Sequence, residues 1–169
     1  IGACPAVVSY IEKYRPGMLA ELIPVASPVR AHARHIHARL VDQVRVVFIG
    51  PCIAKKNEAA RADACADISE VLTFEELDEW LAQEGIELKR CEESAFDEYP
   101  PSAARCFPLE GGALHSAGLN GSGFSTAMIA FSGWPAVRDA CDHGADLPPV
   151  VEPLFCDAGC INGAGMTCT

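Results

Sequence analysis

The stretch Val44-Arg45-Val46-Val47-Phe48-Ile49-Gly50-Pro51-Cys52-Ile53-Ala54-Lys55-Lys56 decides how this chain is built. Its first six residues are β-branched or apolar apart from Arg45, and Gly50-Pro51 stops them. They predict a mostly buried strand with Cys52 directly at its end. Upstream, Pro5 suits a first helical turn, Val7, Val8, Ile11 and Tyr14 fall three or four apart, and Pro16-Gly17 breaks the pattern, so Cys4 sits at a helix start. Ser27 caps a second helix running to about Leu40, with His32, His35 and Arg39 along one polar face. Downstream, Ile68 to Leu72 is a weaker strand. Thr73, with Glu76 three residues on, opens a helix that carries Phe74, Leu77, Trp80 and Leu81 on one side and ends at Gly85.

Beyond it, residues 90 to 106 are polar, contain Pro100-Pro101 and predict a loop, and Gly111-Gly112 opens a short helix through about Ala117. Ala127 to Phe131 predicts another buried strand, Trp134 to Cys141 another helix, and Val150 to Phe155 a last extended run. This alternation predicts an α/β fold, a layered sheet with flanking helices, as one domain over residues 1–169.

Composition excludes several classes. The chain has 169 residues with 13 Lys+Arg against 23 Asp+Glu, and half are apolar. That excludes disorder and a fibrous repeat. The longest unbroken apolar run, Ala127 to Phe131, is far short of the roughly 20 residues of a membrane-spanning helix, so no membrane span is expected. A net charge of −10 argues against a nucleic-acid partner, which needs a basic surface. The acidity lies in the middle: residues 57–98 carry 14 acidic and 3 basic side chains, whereas residues 1–56 carry 3 and 8. It is expected to be a solvated helical face.

Nine cysteines stand at positions 4, 52, 65, 91, 106, 141, 156, 160 and 168. A half-apolar chain of this length buries a core without disulfide staples, and no signal peptide is evident, so a reducing, cytoplasmic setting is expected. The start at Ile1-Gly2 suggests a fragment of a longer protein. In such a setting cysteines at this density point to metal or cluster ligands, with buried structural cysteine as the alternative. Three segments place a cysteine where a strand ends or a helix begins: Ala3-Cys4-Pro5, Gly50-Pro51-Cys52, and Cys156-Asp157-Ala158-Gly159-Cys160-Ile161-Asn162-Gly163-Ala164-Gly165. Helix starts stabilise thiolate, and small residues let backbone approach a bulky cluster. Spacing alone leaves zinc and an iron-sulfur cubane both open.

The order of motifs adds to this. Cys4-Pro5 opens a helix ending Glu12-Lys13-Tyr14-Arg15-Pro16. Ser27-Pro28 follows, then Phe48 to Lys56 with Glu58, and Val71-Leu72-Thr73 with Glu76-Leu77. After Phe107 and Gly111-Gly112, Cys156, Cys160-Ile161-Asn162-Gly163 and Gly165 close the series. This resembles the catalytic domain of iron-only ([FeFe]) hydrogenases over essentially the whole chain, most specifically in the three cysteine motifs and least between about residues 117 and 149. The resemblance implies that Cys4, Cys52, Cys156 and Cys160 hold a 4Fe-4S cubane. Cys160 would bridge it to a di-iron centre with carbonyl, cyanide and dithiolate ligands, completing the H-cluster. It also implies that Lys55 holds a cyanide ligand, which suits an ammonium beside a bound anion, and that Phe107 lies near the active cluster. The plainer alternatives are a surface lysine beside Lys56 and an ordinary core aromatic.

Departures accompany the matches. The family's first motif has two adjacent cysteines, one a proton relay, and Ala3 stands at the relay position. Gly50 replaces a methionine, and Ile23 replaces a relay serine. Rapid turnover is therefore not expected. These changes resemble the sensory branch of the family, whose catalytic domain is joined to signalling modules. The expected function is hydrogen sensing or slow reversible hydrogen oxidation and proton reduction. Hydrogen and protons would be its small partners, and electron-transfer or signalling domains of the same longer chain its protein partners. An isolated fragment empty of cluster is compatible with this resemblance. The alternatives are a homologue holding only a cubane, or a zinc-binding structural module.

The remaining candidates are weaker. Cys65, Cys91, Cys106 and Cys141 are expected to be packing residues or exposed thiols, as is Cys168 unless it approaches the cluster near Cys160. Helical spacing puts only His32 and His35 of the trio His32, His35 and His37 on one face, which predicts a solvated face. Trp80 and Trp134 are expected to be core anchors. No phosphate loop, nucleotide fingerprint or Ser/His/Asp motif is present.

Overall fold

A computed structural model describes residues 3–40, 44–98, 102–119 and 127–166. Helix α1, Pro5–Tyr14, begins at Cys4 with Pro5 in its first turn and buries Val7 and Ile11. Helix α2, Pro28–Arg39, is capped by the Ser27 hydroxyl, which accepts the Arg30 N–H. Strand β1, Val47–Ile49, leads through Cys52 into the short helix α3, Ala54–Ala59, and back to the parallel strand β2, Glu70–Leu72. Helix α4, Phe74–Gln83, starts at a complete capping box: Thr73 accepts the Glu76 N–H, and the Glu76 carboxylate accepts the Thr73 N–H. Gly85, at φ 67°, ends it.

Helix α5, Gly112–Ser116, precedes strand β3, Met128–Ser132. Helix α6, Trp134–His143, then leads to strand β4, Val150–Leu154, which pairs with β3 in parallel over five residues, Met128 opposite Val150 through Ser132 opposite Leu154. Each parallel pair is joined by a helical crossover, as parallel strands require. No helix among the described residues is long and apolar enough to cross a membrane.

The α/β class holds, with the sheet divided into two two-stranded parallel ribbons. Each ribbon has its own core. Val7 and Ile11 of α1, Val137 of α6 and Leu154 of β4 pack together with Cys4, while Ala33 of α2 packs against Ile68 and Val71. The two strands expected to be buried are not. Val47 is 47% and Ile49 39% exposed in β1, and Ile129 of β3 is exposed as well. Side chains alternate across a strand, so Val47 and Ile49 share one face of β1, and that face is left exposed among the described residues.

Trp80 is likewise not a core anchor: it is 53% exposed, and no residue of α4 is buried among the described residues. Trp134 is partly buried, edge-on to Tyr10 at 4.7 Å between ring centres and tilted against Phe155 at 5.2 Å. Part of the expected loop 90–106 is a 3-10 helix, Ser102–Cys106.

Candidate metal centre

The four cysteines of the three motifs lie within electrostatic range of one another. Cys4 precedes α1, is 4% exposed and packs in the same core as Cys160. Cys52 lies in the turn between β1 and α3, where its carbonyl accepts the Lys55 N–H at 3.2 Å. Cys156 follows β4, and Cys160 begins a 3-10 helix, Cys160–Asn162. Between them, Ala158 at φ 56° and Gly159 at φ 104° reverse the chain. A non-glycine residue in that region is uncommon and costs on the order of 1 kcal/mol, so this turn is imposed by its surroundings.

Those surroundings are backbone. The Leu109–Gly159 bridge, the Ile161 N–H on the Pro108 carbonyl at 3.3 Å and the Gly165 N–H on the Pro51 carbonyl at 2.9 Å fix the loop that carries Cys156 and Cys160 to two other segments. A Cβ at Gly159 would stand 2.3 Å from the Pro108 oxygen, and one at Gly163 2.4 Å from the Pro51 oxygen. Glycine is needed at both positions because another chain segment occupies the space. Pro108 and Leu109, just after Phe107, meet the loop that carries Cys156 and Cys160.

The thiols sense one another electrostatically. Burial pushes the Cys52 thiol up, the Cys4 charge adds to that, and Lys55 opposes it. Burial also raises Cys156, with Cys52 and Cys4 adding. Cys160 is pushed up to about 12, by burial first and then by Cys52, Cys4 and Cys156, against the pull of Lys55. Such a pocket disfavours bare thiolates and favours a group that takes up their charge. Among the described residues no three His, Cys, Asp or Glu side chains are arranged to hold a single metal ion. This applies to the His32, His35 and His37 trio as well, of which His37 instead bonds the Asp67 carbonyl at 3.1 Å.

Lys55 is buried, 7% exposed, and its Nζ donates to Glu58 Oε2 at 2.6 Å. The pair lies three residues apart on α3, and Glu58 is also nearly buried. The lysine charge favours the thiolate forms of both Cys52 and Cys160 against their burial. Sequence reasoning left Glu58 without a role, although its i,i+3 spacing from Lys55 was a signal. It also missed Glu152, 1% exposed, whose carboxylate accepts the Ala113 and Leu114 N–H groups at 3.0 and 2.9 Å and so ties α5 to β4. The acidic residue within the apolar run Val150 to Phe155 was the clue.

The departures also have places. Ala3 lies next to buried Cys4, and Ile23 is exposed. A Cβ at Gly50 would stand 2.7 Å from the Phe48 ring, so that ring fills the space of a larger side chain. Cys65 and Cys91 are exposed, and Cys106 and Cys141 are partly buried. Cys168 lies outside the described residues.

Residues 2–164 match the family described as iron-only hydrogenase large subunit, C-terminal domain. The chain belongs to this iron-only hydrogenase family. It is 25% identical to the periplasmic [Fe] hydrogenase large subunit of Nitratidesulfovibrio vulgaris, over 96% of this chain and 50% of that protein. It is 36% identical over 70 residues to the cytosolic Fe-S cluster assembly factor NAR1 of Eremothecium gossypii, covering 41% of this chain and 15% of that protein. Its fold matches [FeFe]-hydrogenase HydA1 of Chlamydomonas reinhardtii with TM-score 0.73 at 19% identity, over 99% of this chain and 61% of that one. The hydrogenase-like chain thus spans about half the length of the hydrogenase large subunit that it matches.

Proposed function

We propose that this domain holds an H-cluster-type group, with Cys4, Cys52, Cys156 and Cys160 as ligands of a 4Fe-4S cubane and Cys160 as the bridge to a di-iron centre. The observation that carries this reading is the gathering of four partly or fully buried thiols, of which Cys52, Cys156 and Cys160 are raised by burial and by their neighbours, with the charge of buried Lys55 opposing the rise at Cys52 and Cys160. Lys55 has the charge and the dry surroundings to donate to a bound anion such as cyanide. When bound, the group supplies the iron chemistry of hydrogen oxidation and proton reduction. The protein holds it with thiolates, excludes water and keeps a cation beside it.

Ala3 carries no exchangeable proton, which supports slow turnover and a hydrogen-sensing role within a longer cytoplasmic chain that carries electron-transfer or signalling domains. A homologue holding only a cubane is the second reading. The local identity to a protein named as an Fe-S cluster assembly factor favours it.

The test is iron, acid-labile sulfide and zinc per chain in protein purified without oxygen, followed by infrared spectroscopy. Iron with matching sulfide, lost on Cys156→Ser, together with carbonyl and cyanide bands, is expected. Iron and sulfide without those bands selects the cubane alone, and zinc without sulfide overturns both readings.

A further inference from the structure

Glu152 is the most deeply buried charged side chain among the described residues, at 1% exposed. Among those residues it is matched by backbone rather than by a cation: its carboxylate accepts the Ala113 N–H at 3.0 Å and the Leu114 N–H at 2.9 Å. Both donors lie in the first turn of α5, where N–H groups have no partner within the helix. Gly111, which precedes α5, has no side chain with which to cap it. The cap therefore comes from β4, 38 and 39 residues away in sequence.

This pair of bonds closes a ring. From Glu152 the chain runs along β4 to Cys156, whose carbonyl accepts the Gly159 N–H at 3.1 Å. Gly159 bridges to Leu109, and the Leu109 carbonyl accepts the Gly112 N–H at 3.0 Å. Ala113 and Leu114 then lead back to Glu152. Every other link named is backbone, so Glu152 is the side chain that closes the ring. The turn at Ala158 and Gly159, with φ 56° and 104°, lies within it, and the Ile161 N–H on the Pro108 carbonyl ties the residue after Cys160 to the same segment.

We propose that Glu152 is a positioning residue. By holding α5 and the Pro108–Leu109 segment against the turn between Cys156 and Cys160, its carboxylate sets the spacing of these two thiols before any metal group arrives. The proposal rests on the cluster-binding reading above. The charge matters because an ionised acceptor makes hydrogen bonds roughly twice as strong as a neutral one, and a carboxylate offers an oxygen to each N–H.

Two variants cut the ring from its two sides. Glu152→Gln keeps the size of the side chain but sets an amide N–H against one of the two backbone N–H groups, which is left unpaired. Ala113→Pro removes one donor in the first helical turn, where proline is tolerated, and leaves Glu152 in place. Either variant suffices if the other does not fold. Val71→Ala, in the separate core formed with Ala33 and Ile68, is the control for a general loss of stability.

The measurement is iodoacetamide alkylation of each cysteine in the metal-free full chain, read by mass spectrometry, with urea unfolding alongside. In both ring variants Cys156 and Cys160 should react about tenfold faster, since losing one such bond raises the population of the opened turn by that order. Cys4 and Cys52 should keep their rates, and Val71→Ala should not single out Cys156 and Cys160. Iron and sulfide uptake should fall in the ring variants and hold in Val71→Ala. A rise shared by all four thiols would make Glu152 a stabiliser of the whole fold and overturn the proposal, as would wild-type rates at Cys156 and Cys160. Absence of iron and sulfide from the wild-type chain overturns the cluster-binding reading alone, because alkylation needs no metal.

Discussion

Gly165 donates its N–H to the Pro51 carbonyl at 2.9 Å, which fastens the loop carrying Cys156 and Cys160 to the residue just before Cys52. Two cysteine-bearing segments far apart in sequence are thus tied by a backbone bond. The Gly165 carbonyl in turn accepts the Phe74 N–H at 3.0 Å, so α4 begins on the same support.

Gly163→Ala should therefore be costly. Gly163 has φ −66° and ψ 154°, which alanine adopts freely, so the penalty comes from the new Cβ at 2.4 Å from the Pro51 oxygen and not from strain. Overpacking of this kind costs about 1–3 kcal/mol. Gly17→Ala, where nothing lies within 4 Å, should change stability by less than about 1 kcal/mol. Urea unfolding of the two variants checks the difference, and iron uptake should fall in the first alone.

Lys55→Met should destabilise the protein by about 3–5 kcal/mol, because it leaves the Glu58 carboxylate nearly buried without its cation. Removing both charges in Lys55→Met with Glu58→Leu should recover most of that loss. A double-mutant cycle in urea measures the coupling. Equal loss in the single and double variants would show that packing, not charge, is what Lys55 contributes.

How much of this was legible in the sequence depends on the range of the interaction concerned. The Ser27 and Thr73 caps and the position of Cys4 at a helix start were readable because each depends on residues within four positions of one another. The exposure of Val47, Ile49 and Trp80 was not, because burial depends on whether a second layer covers a face, which no local pattern encodes. At the site, the motifs pointed to the four cysteines. The partners that hold them in place, the Pro51 and Pro108 carbonyls, were invisible because a backbone carbonyl carries no residue signature.

The pH dependence of the empty protein follows from the raised thiols. Cys160 moves from an ordinary 9.0 to about 12, so between those values the unfolded chain has released a proton that the folded chain keeps. Folding stability is then fully present below about pH 9 and falls as pH rises toward 12, in the direction that proton linkage requires. Cys52 and Cys156 act in the same direction. Unfolding midpoints taken between about pH 7.5 and about pH 10 should decline, and Cys160→Ser should flatten the decline. Cluster uptake should run the other way, tightening with pH, since the ligands must lose their protons to bind.

Ala3→Cys tests the proposal that a proton relay is missing, in protein shown to carry iron and sulfide. Ala3 directly precedes buried Cys4, so a thiol introduced there is positioned by the start of α1 without repacking the core around Val7 and Ile11. A well-placed proton-transfer group contributes about 100-fold or more to a rate. Hydrogen turnover should rise substantially in this variant, while iron and sulfide per chain stay constant. If turnover is unchanged at equal cluster content, the slow step lies elsewhere and Ala3 is not what limits the chemistry.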